Sequence, residues 1–203
     1  MNRANRTQRR DGAAHRRSSG FTMIELITVI VLMGVLGAIG ASRFFDNQVF
    51  ESRAYADQSL GLIRYAQKLA IAQNREVFVQ STPGGFALCF TANCAAGSLV
   101  PDPAGSNNGS GATRVHCIAN AVYVSNWACA GRPANVAVAA AVARPEFANG
   151  GYFFFDSMGR PHNNNDVVGA ASTFIAPLTL NFSSGNSIFT IIVEPETGYA
   201  HAP

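Results

Sequence analysis

From Phe21 to Ser42 the chain reads FTMIELITVIVLMGVLGAIGAS, and Glu25 is its only charged residue. As a helix this stretch reaches roughly 33 Å, the thickness of a bilayer's hydrocarbon core. A segment apolar on every side needs surroundings other than water. Six arginines precede it (Arg3, Arg6, Arg9, Arg10, Arg16 and Arg17), opposed by Asp11 alone. They belong on the cytoplasmic side of a membrane, which sends the rest of the chain outward. Of 15 Lys and Arg and 12 Asp and Glu in the whole chain, nine basic and eleven acidic residues remain from Phe21 onward. The net charge of +3 is therefore a property of the first twenty residues, and a general nucleic-acid surface is not indicated.

Three kinds of segment share this outline. A cleaved secretory signal has a basic start, an apolar middle and small residues such as Ala38–Ala41. A permanent anchor has the same length. Neither explains Glu25, whose burial in lipid costs about 2.5–3.5 kcal/mol on insertion scales. Gly20-Phe21-Thr22-Met23-Ile24-Glu25-Leu26 resembles the processing site of type IV prepilins and type II secretion pseudopilins. The resemblance implies a membrane peptidase that cuts after Gly20 and methylates the new N-terminal Phe21. It also implies that Glu25 is kept for assembly, paired with the terminal amine of a neighbouring subunit. An amine and a carboxylate meeting in an apolar core relieve each other's desolvation.

The helical pattern continues past the apolar run. Phe45, Val49, Ala56, Leu60, Ile63, Ala66 and Ala70 fall on one face, with Phe44, Tyr55, Leu62 and Leu69 beside it. Arg53, Asp57, Arg64, Lys68 and Arg75 make a separate charged stripe. A single helix from Phe21 to about Asn74 is expected, weakened at Gly34, Gly37 and Gly40.

From Val77 the pattern becomes short strands: Val77–Gln80, Phe86–Phe90, Val122–Val124, Tyr152–Phe155, Leu178–Phe182 and Ile188–Val193. Thr82-Pro83-Gly84-Gly85 and Ser183-Ser184-Gly185-Asn186 read as turns, and PDPAGSNNGSGAT (101–113) as a solvated loop. ANVAVAAAVA (134–143) fits helix or strand. The fold class expected is α+β, a long N-terminal helix packed on a mostly antiparallel sheet. Its divisions are a basic leader (1–20), a membrane or filament-core half (21–42), an amphipathic half (43–74) and a β-rich head (75–203). LIRYAQKLAIAQN (62–74), FFFDSMGRP (153–161) and VEPETGYAH (193–201) are similar to GspH/FimT-like minor pilins. That family implies an inner-membrane protein of a bacterium, spanning once with a cytoplasmic N-terminus and a periplasmic head, and later part of a pilus or pseudopilus. Its partners would be the prepilin peptidase and methyltransferase, other pilins or pseudopilins, an inner-membrane assembly platform and the lipid bilayer. Some DNA-uptake relatives carry arginines near the C-terminus, whereas here no Arg or Lys follows Arg160.

Cys89, Cys94, Cys117 and Cys129 all lie beyond the apolar run, so two disulfides are expected in an exported head. Local pairing, 89 with 94 and 117 with 129, is preferred among three possible connectivities. A metal site using these thiols with His116 is the alternative, disfavoured by their spacing. Asp156 and His162 flank a turn and could do acid–base work, but a turn followed by Asn163, Asn164 and Asn165 needs no such role. Ser183-Ser184-Gly185 lacks the setting of a nucleophile elbow. No catalytic constellation, resident metal or cofactor is expected. The function expected is structural, a minor pilin or pseudopilin that primes or caps a filament. Two rivals stay open. One is a displayed adhesin or DNA-binding module, which would need a basic patch from Arg114, Arg132, Arg144 and Arg160. The other is a membrane-tethered periplasmic enzyme.

Overall fold

The computed structural model describes residues 21–44, 47–142, 144 and 151–203, without the side chains of 38–44, 47 and 48. It divides into two compact units, Met1–Phe45 and Asp46–Pro203. The first contains helix α1, Met23–Phe44. The second begins with helix α2, Asn47–Gln73. The expected continuity between them runs through residues 45 and 46, outside the described residues.

Helix α2 forms because small and apolar residues recur along one side. Ser52, Tyr55, Ala56, Ser59, Ile63, Ala66 and Ala70 are all buried, and the small ones let strands approach the helix closely. Its end is a Schellman motif with asparagine in the left-handed position. Asn74 has φ 51°, its N–H donates to Ile71 O, and that of Arg75 donates to Ala70 O.

Eleven strands follow among the described residues. They are β1 (Val77–Thr82), β2 (Gly85–Cys89), β3 (Ile118–Ala119), β4 (Val122–Tyr123), β5 (Cys129–Gly131), β6 (Ala137–Ala140), β7 (Tyr152–Phe155), β8 (Pro161–Asn163), β9 (Leu178–Ser184), β10 (Ser187–Val193) and β11 (Ala200–His201), with a short helix α3 at Gly111–His116. The class is α+β. One expected sheet is in fact two, ordered β5-β2-β1-β7-β8 and β11-β10-β9-β6, plus the β3-β4 hairpin. Every pairing is antiparallel. Pro133 lies in the crossing from β5 to β6 and has no N–H to continue a ladder. There Arg132 N–H turns back to Gly84 O, and β6 joins the second sheet instead.

Both sheets press on α2 through a core that includes Ile63, Val79, Phe86, Phe153, Phe155, Leu180, Phe182 and Ile191. Strand β9 buries alternate residues, as a half-covered strand must. The first sheet is also covered on its other face, where Phe78 packs on Phe154, and Phe154 stacks on His162. Gly185, with φ 56°, opens the two-residue turn between β9 and β10, a position where a II′ turn calls for glycine.

Within the ambiguous 134–143 stretch, Ala137–Ala140 is strand. The 101–113 stretch is less solvated than its composition implies. Asn107 is buried, donating to Val124 O and Trp127 O, and Ser110 caps α3 by accepting from the N–H of Thr113. The charged stripe of α2 is also only partly a solvated one. Arg53 faces Asp57 in water at 4.0 Å, but Arg64 donates to Ala200 O at 2.7 Å and Arg75 lies over the Phe90 ring.

The three segments singled out by resemblance meet in space. Gln67 Nε2 donates to Gly159 O and to Thr197 O. A Cβ on Gly159 would strike Ile71, and one on Gly198 would lie 2.3 Å from Gly159 O. The end of α2, the β7–β8 turn and the turn before β11 thus form one close junction.

Candidate functional site

The N-terminal segment carries its own chemistry. Thr22 Oγ1 accepts from the N–H of Glu25 at 3.3 Å and donates to the Glu25 carboxylate at 3.4 Å. Thr-x-x-Glu is a capping-box spacing, and an acid in the first turn complements the helix dipole. The signal is local in the sequence, Thr22 standing three residues before Glu25. Glu25 therefore has a local role at the start of α1 besides any role toward a partner. Gly20 lies outside the described residues, and Phe21 is exposed at the entry to α1. From Met23 to Leu36 every large apolar side chain is exposed. Among the described residues no helix is long and apolar enough to cross a membrane. The expected span extends over 38–42, whose side chains are not described. The part with described side chains, 21–37, is about 25 Å long as a helix, short of a bilayer core.

In the head, Cys89 is bonded to Cys94 and Cys117 to Cys129, with Cα atoms 5.3 Å and 5.9 Å apart. Three of these cysteines, with Ala87 and Trp127, form a small core of their own, fixed by Trp127 Nε1 donating to Leu88 O. His116 is half-buried, and burial holds its imidazole below the usual histidine range. Its ring rests on the β1–β2 turn, where side chains at Gly84 and Gly85 would collide with it. A Cβ on Gly131 would strike the backbone of α3, so the glycines set α3 directly on the sheet edge. Among the described residues no three His, Cys, Asp or Glu groups are arranged to hold a metal ion.

Asp156 and His162 do meet, at 3.2 Å, and His162 Nδ1 lies 3.6 Å from Asp166. His162 is only 3% exposed. Asp156 accepts from the N–H groups of Met158 and Arg160, closing the turn. Asp166 accepts from the N–H groups of Asn163 and Thr173 and from the Thr173 hydroxyl. Burial raises the Asp166 carboxyl, but these bonds and His162 outweigh it and hold it below the usual range. The cluster ties the loops on either side to β8.

Three of the four arginines of the supposed basic patch are held by other groups of the head, while Arg160 is exposed. Arg114 donates to Gly109 O and covers Tyr123. Arg132 donates to Pro83 O and Val136 O. Arg144 donates to Pro177 O and covers Phe174.

A groove of about 890 Å³ lies between α2 and α3. Glu51, Tyr55, Val115, His116, Arg132 and Asn135 are among the residues lining it.

Comparison with known proteins bears on the N-terminal segment. Residues 15–41 match the prokaryotic N-terminal methylation motif. The type IV narrow pilus major component PilA5 of Thermus thermophilus is 38% identical over 61 residues, 30% of this chain and 53% of that protein. The chain thus spans about half the length of this curated relative. Among solved structures, the type IV minor pilin FimU of Pseudomonas aeruginosa is 10% identical with a TM-score of 0.43, over 77% of this chain and 91% of that one. Over residues 15–41 the chain is thus similar to proteins that carry the prokaryotic N-terminal methylation motif.

Proposed function

We propose that this chain is a minor pilin or pseudopilin, a structural subunit that primes or caps a type IV pilus or a type II secretion pseudopilus. The observation that carries this is the methylation motif at 15–41, set on a helix whose large apolar side chains are exposed and whose one acid is Glu25. Residues 1–20 are removed by a prepilin peptidase, and the same enzyme methylates Phe21. Residues 21–42 wait in the inner membrane with the cytoplasmic end first, residues 43–74 carry the amphipathic half of the helix, and 75–203 form the periplasmic head. The similarity of 62–74, 153–161 and 193–201 to GspH/FimT-like proteins supports a minor subunit, the C-type minor pilin of the mannose-sensitive haemagglutinin pilus being the nearest suggestion.

Glu25 sits where lipid penalises it, and its capping by Thr22 offsets only part of that cost. A neighbouring subunit's terminal amine would remove the rest, which favours leaving lipid for the filament. Glu25→Ala is expected to leave membrane insertion unchanged and to lower the amount of this chain recovered in sheared filaments at least ten-fold. Undiminished incorporation would refute the pairing.

A further inference from the structure

Strand β10 borders the second sheet, and most of that edge has no neighbour. It runs for seven residues, Ser-Ile-Phe-Thr-Ile-Ile-Val. Strand β11 covers only Ile192 and Val193, opposite His201 and Ala200. Just beyond, the N–H of Glu194 donates to Tyr199 O across the same edge. Backbone groups alternate along a strand, so Ile192, Thr190 and Ile188 also present their N–H and C=O there. Ile192 meets His201, but among the described residues no strand faces Thr190 or Ile188. Two N–H and two C=O groups thus stand in ladder spacing with no backbone partner among the described residues.

Open edges are normally blunted by shortness, a charge, a proline or a bulge. The other borders of the two large sheets follow that rule. Strands β5 and β8 have three residues each and β6 has four, and α3 sits directly on β5 at Gly131. Strand β10 uses none of these devices. It contains no charged residue and no proline, and its pairing with β9 is unbroken from Ser187 to Val193. Beside it a cavity of about 370 Å³ lies between α2 and β10, within the roughly 300–1,000 Å³ range of ligand sites. Ala56 and Leu60 of α2 and Phe189 and Ile191 of β10 give it an apolar wall. Arg53 and Asp57, both exposed, face each other at its rim, and Ala202 and Pro203 also line it.

Alternating backbone donors and acceptors are matched by another extended backbone. We propose that the β10 edge takes an uncharged, β-branched strand of a partner protein, in line with β11 and antiparallel to β10. Its residues opposite Ile188 and Thr190 hydrogen-bond to them and turn their side chains to solvent, where Ile188 is 64% exposed. Its residue opposite Phe189 points the other way, toward Ala56 and Leu60. A second copy is the poorer occupant. Two β10 edges pair antiparallel through a half-turn about the normal to the sheet. That sets the two α2 helices head to tail, whereas subunits of the filament proposed above carry α2 the same way round. The preference for a partner over a copy rests on that proposed function; the open edge does not.

The test uses the full chain in nanodiscs and a fluorescent, end-blocked pentapeptide, Thr-Val-Thr-Val-Thr. Anisotropy is expected to show saturable binding below about 1 mM. N-methylation at the threonines removes the N–H groups that face β10 and should weaken binding at least ten-fold. N-methylation at the valines, whose N–H groups face away, should leave it within a few-fold of the parent peptide. In the chain, Ile188→Pro removes an N–H that no ladder bond of the fold uses, so loss of binding should accompany an unchanged melting temperature. No binding up to that concentration, equal effects of the two methylated peptides, or full binding to the Ile188→Pro chain would overturn the proposal. So would a dimer of the chain, sedimented in detergent, that Ile188→Pro returns to single chains, since the edge would then belong to a second copy. None of these readouts depends on cleavage after Gly20.

Discussion

Asn120 and Ala121 join β3 to β4 with φ of 51° and 62°. Two positive values at the centre of a two-residue turn define type I′, where the second place favours glycine. An alanine there carries about 1–2 kcal/mol of strain. Glycine would remove the strain but give the unfolded chain about 0.4–1 kcal/mol of extra freedom. Ala121→Gly should therefore raise stability by about 0.5–1 kcal/mol, read as a higher urea midpoint with unchanged slope. His116 makes a second prediction. Burial lowers its folded pKa below the ordinary 6.5, so the unfolded chain binds the proton more readily. The stability this gives is complete above pH 6.5 and is lost as pH falls through the lowered value. His116→Gln should make the fall in unfolding free energy between pH 7 and pH 5 smaller than in the parent chain. Neither residue could be read from the sequence in this way. Asn-Ala is a weak turn signal, and nothing local to His116 shows that Gly84 and Gly85 lie under its ring.

Elements were legible where one periodicity dominated. The buried face of α2 follows the helical spacing of Ala56, Ile63, Ala66 and Ala70. Strands β1, β7, β9 and β10 begin or end within two residues of the expected runs, since aromatic and β-branched residues alternate there between turn signals. The strands not foreseen are two to three residues long: β3, β5, β8 and β11. Such pieces have too few side chains to show a period, and partners distant in sequence decide them. The split into two sheets was hidden for the same reason. The junction of Gln67, Gly159 and Gly198 is long-range as well, although each of its segments was marked by resemblance. Gly198 has φ 66° and no room for a Cβ beside Gly159 O. Gly198→Ala should destabilise the head by about 2 kcal/mol or more, seen as a lower denaturant midpoint. Stability equal to that of the parent would mean that the turn yields and the junction is not close-packed.

At the scale of the molecule, two units divide the work. The head is held by α2, two antiparallel sheets and two disulfides. The other unit is an apolar helix begun by Thr22 and Glu25, with its large side chains exposed over 23–36. That helix and its single acid were plain in the sequence because composition alone displays them. The groove on the head was not, since Tyr55, His116 and Arg132 come from three separated segments. If the N-terminal segment is processed as that of a prepilin, mass spectrometry of the mature chain purified from membranes will find an N-terminus at Phe21 bearing one added methyl group. A chain that begins at Ser42, or one that retains residues 1–20 in cells with an active prepilin peptidase, would refute that processing.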